Sequence, residues 1–303
     1  MDKFIFILDI HFGKKCNIRL DDIDLVIEDK FNQILDYSLK NNIKNIFIAG
    51  DIFDGVNVGI QSINKSVKIF KKFKDNSIKI YTIWGNHDEY RGNPEFRNKT
   101  PLYLLKEMEL ITPFQVVELD DYIIYGYDYY DIALYDMLEN NKKYIKEKNK
   151  KIIVLAHSFY DNEFMGGKYN IKKEWIEKNS MIDYIVLGHD HSEYNDITIG
   201  NTKILRFGSL TRVTSSKGDI HRTPKFVVFN SNGYEKIELK CNKLNDVLIS
   251  EITNKKNIEI KYETIIEEIQ KINLDKEKEI NSIIEEINLI ENEKIKNIIL
   301  GAL

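Results

Sequence analysis

The sequence predicts an α/β fold in which β-sheets are covered by helices. Over the first 230 residues, short apolar runs alternate with amphipathic stretches. The runs are rich in isoleucine, valine and phenylalanine and are followed by polar residues or glycine, which is typical of buried strands. Later in this region the strand-like runs follow one another without helices between them. The pattern therefore begins as α/β and ends as mostly β.

The expected elements follow in chain order. Early strands are expected at Phe4–Asp9, Asn45–Ala49, Ile78–Ile83, Tyr122–Tyr127, Lys151–His157 and Tyr184–Leu187. Amphipathic helices are expected at Asp22–Lys40, Ser62–Phe73 and Asp131–Lys146, where apolar residues recur on one face. Later strands are expected at Lys203–Phe207, Lys225–Phe229 and Tyr234–Leu239.

The composition changes after about Lys240. The segment Asn257–Leu300 is dominated by Glu, Lys, Ile and Asn and contains no glycine or proline. Isoleucines recur at helical spacing in two stretches of it, which predicts two amphipathic helices. These helices either dock on the main domain or bind a partner. We therefore expect a main domain at 1–240 and a short helical appendage at 241–303.

Bulk properties exclude several classes of protein. The net charge of −4 gives no global basic field, so any attraction to nucleic acid must be local. The two cysteines, Cys16 and Cys241, form no CxxC pair, which favours a reducing compartment over a disulfide scaffold. No segment reaches the roughly 18 apolar residues that a membrane span requires. A cytoplasmic protein without a membrane partner is expected.

The histidines carry the candidate chemistry. The chain has six, and five of them directly follow a strand-like run, beside Asp, Asn or Gly. Those five are His11, His87, His157, His189 and His191. Because ligands gather at the carboxyl ends of strands in α/β sheets, these positions predict a functional site.

Short motifs surround these histidines. They are Asp9-Ile10-His11, Gly50-Asp51, Gly85-Asn86-His87-Asp88, Ala156-His157 and Gly188-His189-Asp190-His191. Each motif alone has an ordinary explanation, such as an incidental pair, a helix cap, a turn or a core histidine. The last motif is the most telling, because it presents two imidazoles on one side of an extended segment.

Seven of these residues together predict a two-metal site. They are Asp9, His11, Asp51, Asn86, His157, His189 and His191. This mixture of oxygen and nitrogen ligands suits Mn²⁺ most, with Fe²⁺, Zn²⁺ or Mg²⁺ as options, and contains too much nitrogen for Ca²⁺. With one bridging carboxylate, the set holds two metals and leaves positions open for water and substrate. That arrangement is used for in-line displacement at phosphorus.

The order DxH, GDxxD, GNHD, H and GHxH resembles the calcineurin-like metallophosphoesterase superfamily, over roughly residues 1–230. The resemblance implies a sandwich of two mixed β-sheets flanked by helices. It also implies ligand sets of Asp9, His11 and His191 for one metal and of Asn86, His157 and His189 for the other, with Asp51 bridging. His87 would stabilise the transition state or protonate the leaving oxygen, and Asp88 would orient His87.

Details of the motifs favour one subfamily. The sequence Asp54-Gly55-Val56 and the GNHD ending at Asp88 argue against protein phosphatases and dinucleoside tetraphosphatases, which carry Asp-Arg-Gly and GNHE. The segments Leu8–Lys14 and Arg206–Val213 resemble those of SbcD-type DNA nucleases, the Mre-eleven family. This resemblance implies a Mn²⁺-dependent DNA exonuclease or endonuclease subunit of a recombination and repair complex. It also implies an SbcC-type coiled-coil ABC ATPase partner and a possible homodimer.

One departure from this subfamily leaves alternatives open. Only about 60 residues follow Leu239, so a full capping domain does not fit beside two helices. The segment 241–303 is therefore either a reduced cap or an ATPase-binding segment. A nucleotide or small-molecule phosphodiesterase of the same fold is the alternative function. A non-catalytic scaffold is a further alternative, although no ligand position is lost. The sequence assigns no substrate-binding residue.

Overall fold

The computed structural model describes residues 3–15, 19, 21–129, 149–161, 170–213, 219 and 221–242. The chain divides into two units, Met1–Leu248 and Ile249–Leu303, and all described residues belong to the first. The helices expected at Asp131–Lys146 and within Asn257–Leu300 lie outside the described residues, so they and the boundary at residue 240 remain predictions. Among the helices that the structure describes, none has the length and apolar character needed to cross a bilayer.

The first sheet has six strands. In spatial order they are β14 (Gly233–Glu238), β13 (Lys225–Asn230), β1 (Phe4–Ile7), β2 (Asn45–Ile48), β3 (Lys79–Thr82) and β4 (Thr112–Pro113). The strands β1 to β4 run parallel, and β13 and β14 are added antiparallel at one side. The parallel part places the carboxyl ends of β1, β2 and β3 at one edge of the sheet.

The second sheet also has six strands. In spatial order they are β11 (Ile197–Ile199), β12 (Thr202–Leu205), β10 (Tyr184–Gly188), β7 (Lys151–His157), β6 (Tyr122–Tyr127) and β5 (Val116–Glu118). The four central strands are parallel, and the two edge strands are antiparallel to their neighbours. A short parallel pair, β8 (Phe159–Tyr160) and β9 (Asn170–Ile171), lies apart from both sheets.

Helices pack against both sheets. The helices are α1 (Ile23–Lys40), α2 (Ile60–Asp75), α3 (Pro101–Glu107) and α4 (Lys173–Lys178). Helices α1 to α3 pack against the first sheet and α4 packs against the second. Helix α1 begins where the Asp22 side chain accepts hydrogen bonds from the backbone N–H groups of Asp24 and Leu25, which caps the helix. The ring of its buried Phe31 makes edge-to-face contacts with Phe70 and Phe73 of α2, so the two helices share one hydrophobic cluster with the outer face of the sheet.

The strands distribute their side chains between two faces. In β1, Phe4 and Phe6 point into a cluster that also contains Tyr122 and Val186 of the second sheet. The alternate residues of β1, such as Ile5, point into the cluster formed with α1 and α2. The two mixed sheets therefore face each other with helices outside. This confirms the predicted α/β sandwich, and every strand predicted from an apolar run is present, with small shifts at its ends.

Candidate metal centre

The residues singled out by sequence gather at the carboxyl ends of five strands. Asp9 and His11 follow β1, Asp51 follows β2, Asn86, His87 and Asp88 follow β3, His157 ends β7, and His189 and His191 follow β10. Three of these strands belong to one sheet and two to the other. The site thus lies where the two sheets end together, which is the place expected for ligands in α/β structures.

A first cluster contains Asp9, His11, Asp51 and His191. Each offers a ligand atom, and these atoms lie within 4.8 Å of one another. The Nε2 atoms of His11 and His191 are 2.9 Å apart. The Nε2 atom of His11 is also 3.7 Å from Oδ2 of Asp51. Two imidazoles and two carboxylates therefore converge on one small volume.

A second cluster contains Asp51, His157 and His189, again with ligand atoms within 4.8 Å of one another. The Nε2 atom of His157 lies 3.3 Å from Oδ2 of Asp51 and 3.2 Å from Nδ1 of His189. Asn86 joins this cluster, because its Oδ1 lies 3.0 Å from the same His157 nitrogen. Asp51 is common to both clusters.

Whether these residues fit metal ions can be judged from Oδ2 of Asp51, which lies near both clusters. Asp51 is 1% exposed, and its Oδ2 atom has no hydrogen-bond partner among the described residues. A buried carboxylate oxygen without a partner is costly unless a cation pairs with it. Because the same oxygen lies near nitrogens of both clusters, the donor set fits two divalent ions, which these residues would hold.

The charge states of three groups, His189, His191 and Asp51, agree with this fit. Burial, together with the neighbouring histidines, lowers the pKa of His189 to about 3 and that of His191 to about 2. Both are therefore neutral at pH 7, which is the form in which imidazole binds a metal. Burial alone would raise the pKa of Asp51, but His157, His11 and His87 hold it well below its usual range. Asp51 is accordingly ionised.

Backbone carbonyls fix the orientation of two imidazoles. Nδ1 of His157 donates a hydrogen bond of 2.6 Å to the carbonyl oxygen of Ala49. Nδ1 of His87 likewise donates to the carbonyl oxygen of Asp54, at 2.8 Å. These bonds assign the proton to Nδ1 and leave each Nε2 free to act as a ligand or as an acid. The backbone N–H of His87 donates to Oδ1 of Asp51 at 2.9 Å.

The Asp88 side chain makes its hydrogen bonds to the backbone and not to the ring of His87. The sequence predicts that Asp88 orients His87; the hydrogen bond that the His87 ring donates through Nδ1 is accepted by the carbonyl oxygen of Asp54. The Asp88 side chain instead turns back into the loops and accepts hydrogen bonds from the backbone N–H groups of Gly85, Phe53 and Ile52. It is 1% exposed, and burial, reinforced by the charge of Asp51, raises its pKa to about 7. Asp88 therefore joins the loops after β2 and β3.

Asp54 is the residue that sequence reasoning undervalued. Its Oδ1 lies 3.2 Å from Nδ1 of His11 and accepts a hydrogen bond of 2.8 Å from Nζ of Lys14. Its carbonyl also holds His87, so Asp54 touches two of the candidate histidines with different atoms. The contact with His11 is an electrostatic one, since Nδ1 of His11 has no hydrogen-bond partner among the described residues. The position of Asp54 as the second carboxylate of the GDxxD motif is the sequence feature that could have indicated these contacts.

The backbone at the site is strained. Asp9, His11, Asp51 and His189 all have positive φ angles, of 35°, 60°, 48° and 87°. Residues with a Cβ atom rarely adopt this left-handed region, and such positions concentrate at functional sites. Gly85 explains how the loops approach so closely, because a Cβ atom there would lie 2.0 Å from Oδ1 of Asp51. Only glycine fits at that position.

The segment Gly208–Val213 donates backbone hydrogen bonds to two residues of the first cluster. The backbone N–H of Ser209 donates to the carbonyl of His191 at 3.2 Å, and that of Leu210 donates to the carbonyl of Asp9 at 3.0 Å. The buried guanidinium of Arg222 donates in turn to the Ser209 hydroxyl at 2.6 Å. The sequence singled out this segment only by resemblance. Its position shows that it braces the loops that carry two candidate ligands.

Comparison with known proteins agrees with this geometry. A family model described as calcineurin-like phosphoesterase matches residues 3–193. The chain is 26% identical to DNA double-strand break repair protein Mre11 of Sulfolobus acidocaldarius, over 68% of this chain and 54% of that protein. It therefore spans about half of that relative.

The alignments with two other relatives span a larger share of both chains. Identity to the protein of the same name from Methanocaldococcus jannaschii is 26%, over 82% of this chain and 69% of that protein. For Methanococcus maripaludis the identity is 24%, over 98% of this chain and 82% of that protein. Among solved structures, a putative 5'-nucleotidase from Staphylococcus aureus matches with a TM-score of 0.51 at 13% identity, over 80% of this chain and 55% of that chain. The last likeness concerns the fold alone.

Proposed function

Because the chain belongs to the calcineurin-like phosphoesterase family, we propose that it is a dinuclear-metal phosphodiesterase whose substrate is DNA. The observation that carries the hydrolytic part is Asp51, the buried carboxylate common to two clusters of candidate ligands. Relatives named as DNA double-strand break repair proteins support the choice of DNA. In this proposal the protein is an exonuclease or endonuclease subunit of a recombination and repair complex.

The candidate ligands divide into two sets around Asp51. Asp9, His11 and His191 would hold one ion, and Asn86, His157 and His189 would hold the other. Mn²⁺ is the proposed metal, since it accepts mixed nitrogen and oxygen ligands, as Fe²⁺ and Zn²⁺ also do. When bound, such ions generate a nucleophile from water at neutral pH and stabilise charge on phosphoryl oxygens.

His87 is proposed as the acid or transition-state stabiliser. Its Nδ1 is committed to the carbonyl of Asp54, so its Nε2 is the atom available to a leaving oxygen. Asp88 contributes by position, because its three backbone hydrogen bonds hold the turn that carries Asn86 and His87. The contact of Asp54 with His11 joins the segment after β2 to the segment after β1.

DNA cleavage in the presence of Mn²⁺ tests the proposal. The purified protein should degrade DNA ends with Mn²⁺ and lose this activity in EDTA, because the ions supply the nucleophile. Cleavage is measured on an end-labelled duplex and on a closed circular DNA of the same sequence. Hydrolysis of a small chromogenic diester with the DNA left intact would instead show a nucleotide or small-molecule phosphodiesterase.

Metal content separates an enzyme from a scaffold. About two divalent ions per chain are expected after reconstitution with Mn²⁺ and removal of free metal. A chain that retains no metal under these conditions would support the non-catalytic alternative. All seven candidate ligands lie among the described residues, so the measurement bears directly on the geometry above.

The proposed partners are a coiled-coil ABC-type ATPase of the SbcC type and a second copy of the chain. Residues 241–303, nearly all of them outside the described residues, are proposed to bind the ATPase through amphipathic helices. Deleting residues 251–303 should abolish co-purification with the ATPase and spare hydrolysis of the chromogenic diester, because every candidate ligand precedes residue 192. Retained ATPase binding would show that the partner surface lies elsewhere.

A further inference from the structure

A guanidinium and two tyrosine rings lie together beside the candidate metal centre. Cζ of Arg206 is 4.2 Å from the ring centroid of Tyr194 and 5.3 Å from that of Tyr160. Both distances are within the range of cation–π contact. We call Tyr160, Arg206 and Tyr194 the tyrosine–arginine platform.

Chain connectivity ties the platform to the candidate ligands. Tyr194 lies three residues after His191, and its backbone N–H donates to the carbonyl of Arg206 at 2.9 Å. Tyr160 lies in β8 beside Phe159, whose ring centroid is 4.2 Å from that of His189. An extended chain spans at most about 3.6 Å per residue, so Tyr194 lies within about 11 Å of His191. That is about three nucleotides of a stacked strand at roughly 3.4 Å each.

The Tyr194 ring of the platform is exposed to solvent, and Tyr160 and Arg206 are half-buried. Tyr194 is 39% exposed. None of the described carboxylates forms an ion pair with Arg206, and its Nε has no hydrogen-bond partner among the described residues. Two acidic residues close to Tyr194 in the sequence are already engaged, since Glu193 pairs with Lys225 at 2.7 Å and Asp196 with Lys236 at 2.7 Å. The charge of Arg206 is therefore free of a carboxylate partner in this part of the structure.

A second arginine, Arg97, also lies over an aromatic ring but has carboxylate partners. Cζ of Arg97 lies 4.6 Å from the ring centroid of Trp84, but this guanidinium forms ion pairs with Glu89 and Asp128. Arg97 thus completes an internal network. Arg206 makes the same kind of ring contact without such a network, which points to recognition and not to support of the fold.

We propose that the tyrosine–arginine platform stacks a base of an unpaired DNA strand whose phosphodiester lies at the candidate metal centre. This inference rests on the proposed function. Aromatic rings and arginine planes stack on any base, because every base has a π face, so the contact tolerates sequence. The bases of an intact duplex are stacked on one another and are not presented to a side chain. The platform therefore selects unpaired nucleotides next to the site of cleavage.

Strands with and without bases test the platform. The full chain, in EDTA to prevent hydrolysis, is titrated into fluorescently labelled oligothymidine or an abasic strand with the same number of phosphates. Wild-type protein should bind oligothymidine roughly 5- to 150-fold more tightly, as expected for one stacked base. Tyr194→Ala should lose this preference without weakening binding to the abasic strand, and Tyr194→Phe should keep it. Equal binding of the two strands by wild-type protein would overturn the platform.

A matched control uses another tyrosine that contacts a cation. Lys106 Nζ lies 4.4 Å from the ring centroid of Tyr103 on α3, so Tyr103→Ala removes a similar contact and should keep the preference for bases. Thermal unfolding of each variant checks that it folds. If Tyr194→Ala fails to fold, quenching of 2-aminopurine in a strand bound to wild-type protein replaces it, and unquenched fluorescence would refute stacking.

The outcomes separate this inference from the proposed function. Hydrolysis of the chromogenic diester without binding of either strand would show that DNA is not the substrate, and the platform would fail with it. Binding of both strands with equal affinity would be compatible with the nuclease proposal and would contradict only the stacking of a base on the platform. Equal loss of affinity for both strands in Tyr194→Ala would also count against stacking, because such a loss reports contacts to the phosphates.

Discussion

Replacing Asp51 with asparagine should lower metal-dependent hydrolysis of a chromogenic diester by at least about 10³-fold, since the ions supply several kcal/mol of transition-state stabilisation. Oδ2 of Asp51 lies 3.7 Å from Nε2 of His11 in the first cluster and 3.3 Å from Nε2 of His157 in the second. Asparagine keeps the shape and keeps an oxygen for the backbone N–H of His87, but it removes the negative charge. Turnover and bound metal per chain are measured on the same preparation.

The matched control is Asp36→Asn. Asp36 is an exposed carboxylate on α1, so its neutralisation changes the net charge equally and leaves the site untouched. This variant should match wild-type protein in turnover and in metal content. Wild-type values for Asp51→Asn would show that the buried carboxylate is not shared between two ions, and would leave the two clusters without their common ligand.

The central strands could be predicted from sequence because both of their faces are buried. Tyr122–Tyr127 and Lys151–His157 read as continuous apolar runs, and nearly every residue in them is buried. The edge strands Val116–Glu118 and Ile197–Ile199 gave no such signal, since each has three residues that are mostly half-exposed or exposed. Helix α4 was missed for a related reason, because only Trp175 and Ile176 of it are buried.

The sequence indicates which side chains are candidate ligands. It does not indicate which groups hold those side chains in place. Each candidate ligand carries a side chain of recognisable chemistry at the end of a strand, so the sequence contains the set. The groups that hold the imidazoles of His157 and His87 are the backbone carbonyls of Ala49 and Asp54. A carbonyl is the same for every residue type, and its position depends on the fold. The backbone groups that Asp88 contacts could not be predicted for the same reason.

Contacts between residues far apart in the chain could not be predicted from the sequence either. Leu210 bonds to the backbone of Asp9, which lies some 200 residues earlier, and Arg222 fixes Ser209. Nothing in local composition distinguishes Leu210 from any other buried apolar residue. The pairing exists because β13 returns to lie beside β1 in the first sheet, which brings the end of the domain against its beginning. Only the assembled fold reveals this brace.

Replacing His87 with asparagine should lower turnover by about 10²-fold or more while metal content is retained. The asparagine amide nitrogen occupies the place of Nδ1 and is able to donate to the Asp54 carbonyl, but nothing replaces Nε2. The exposed His221 lies outside the clusters found among the described residues, so His221→Asn is the control and should retain wild-type turnover. Unchanged turnover in His87→Asn would remove this residue from the mechanism.

The choice of leaving group then separates the two roles proposed for His87. An acid protonates the leaving oxygen, and this help matters most when that oxygen is strongly basic, as in an alkyl or nucleoside ester. A p-nitrophenolate leaves without a proton, so loss of an acid should cost much less with the chromogenic diester than with DNA. A group that stabilises charge on the phosphoryl oxygens should matter for both substrates alike. Equal losses in His87→Asn would therefore assign His87 to charge stabilisation, and a loss confined to DNA would assign it to proton transfer.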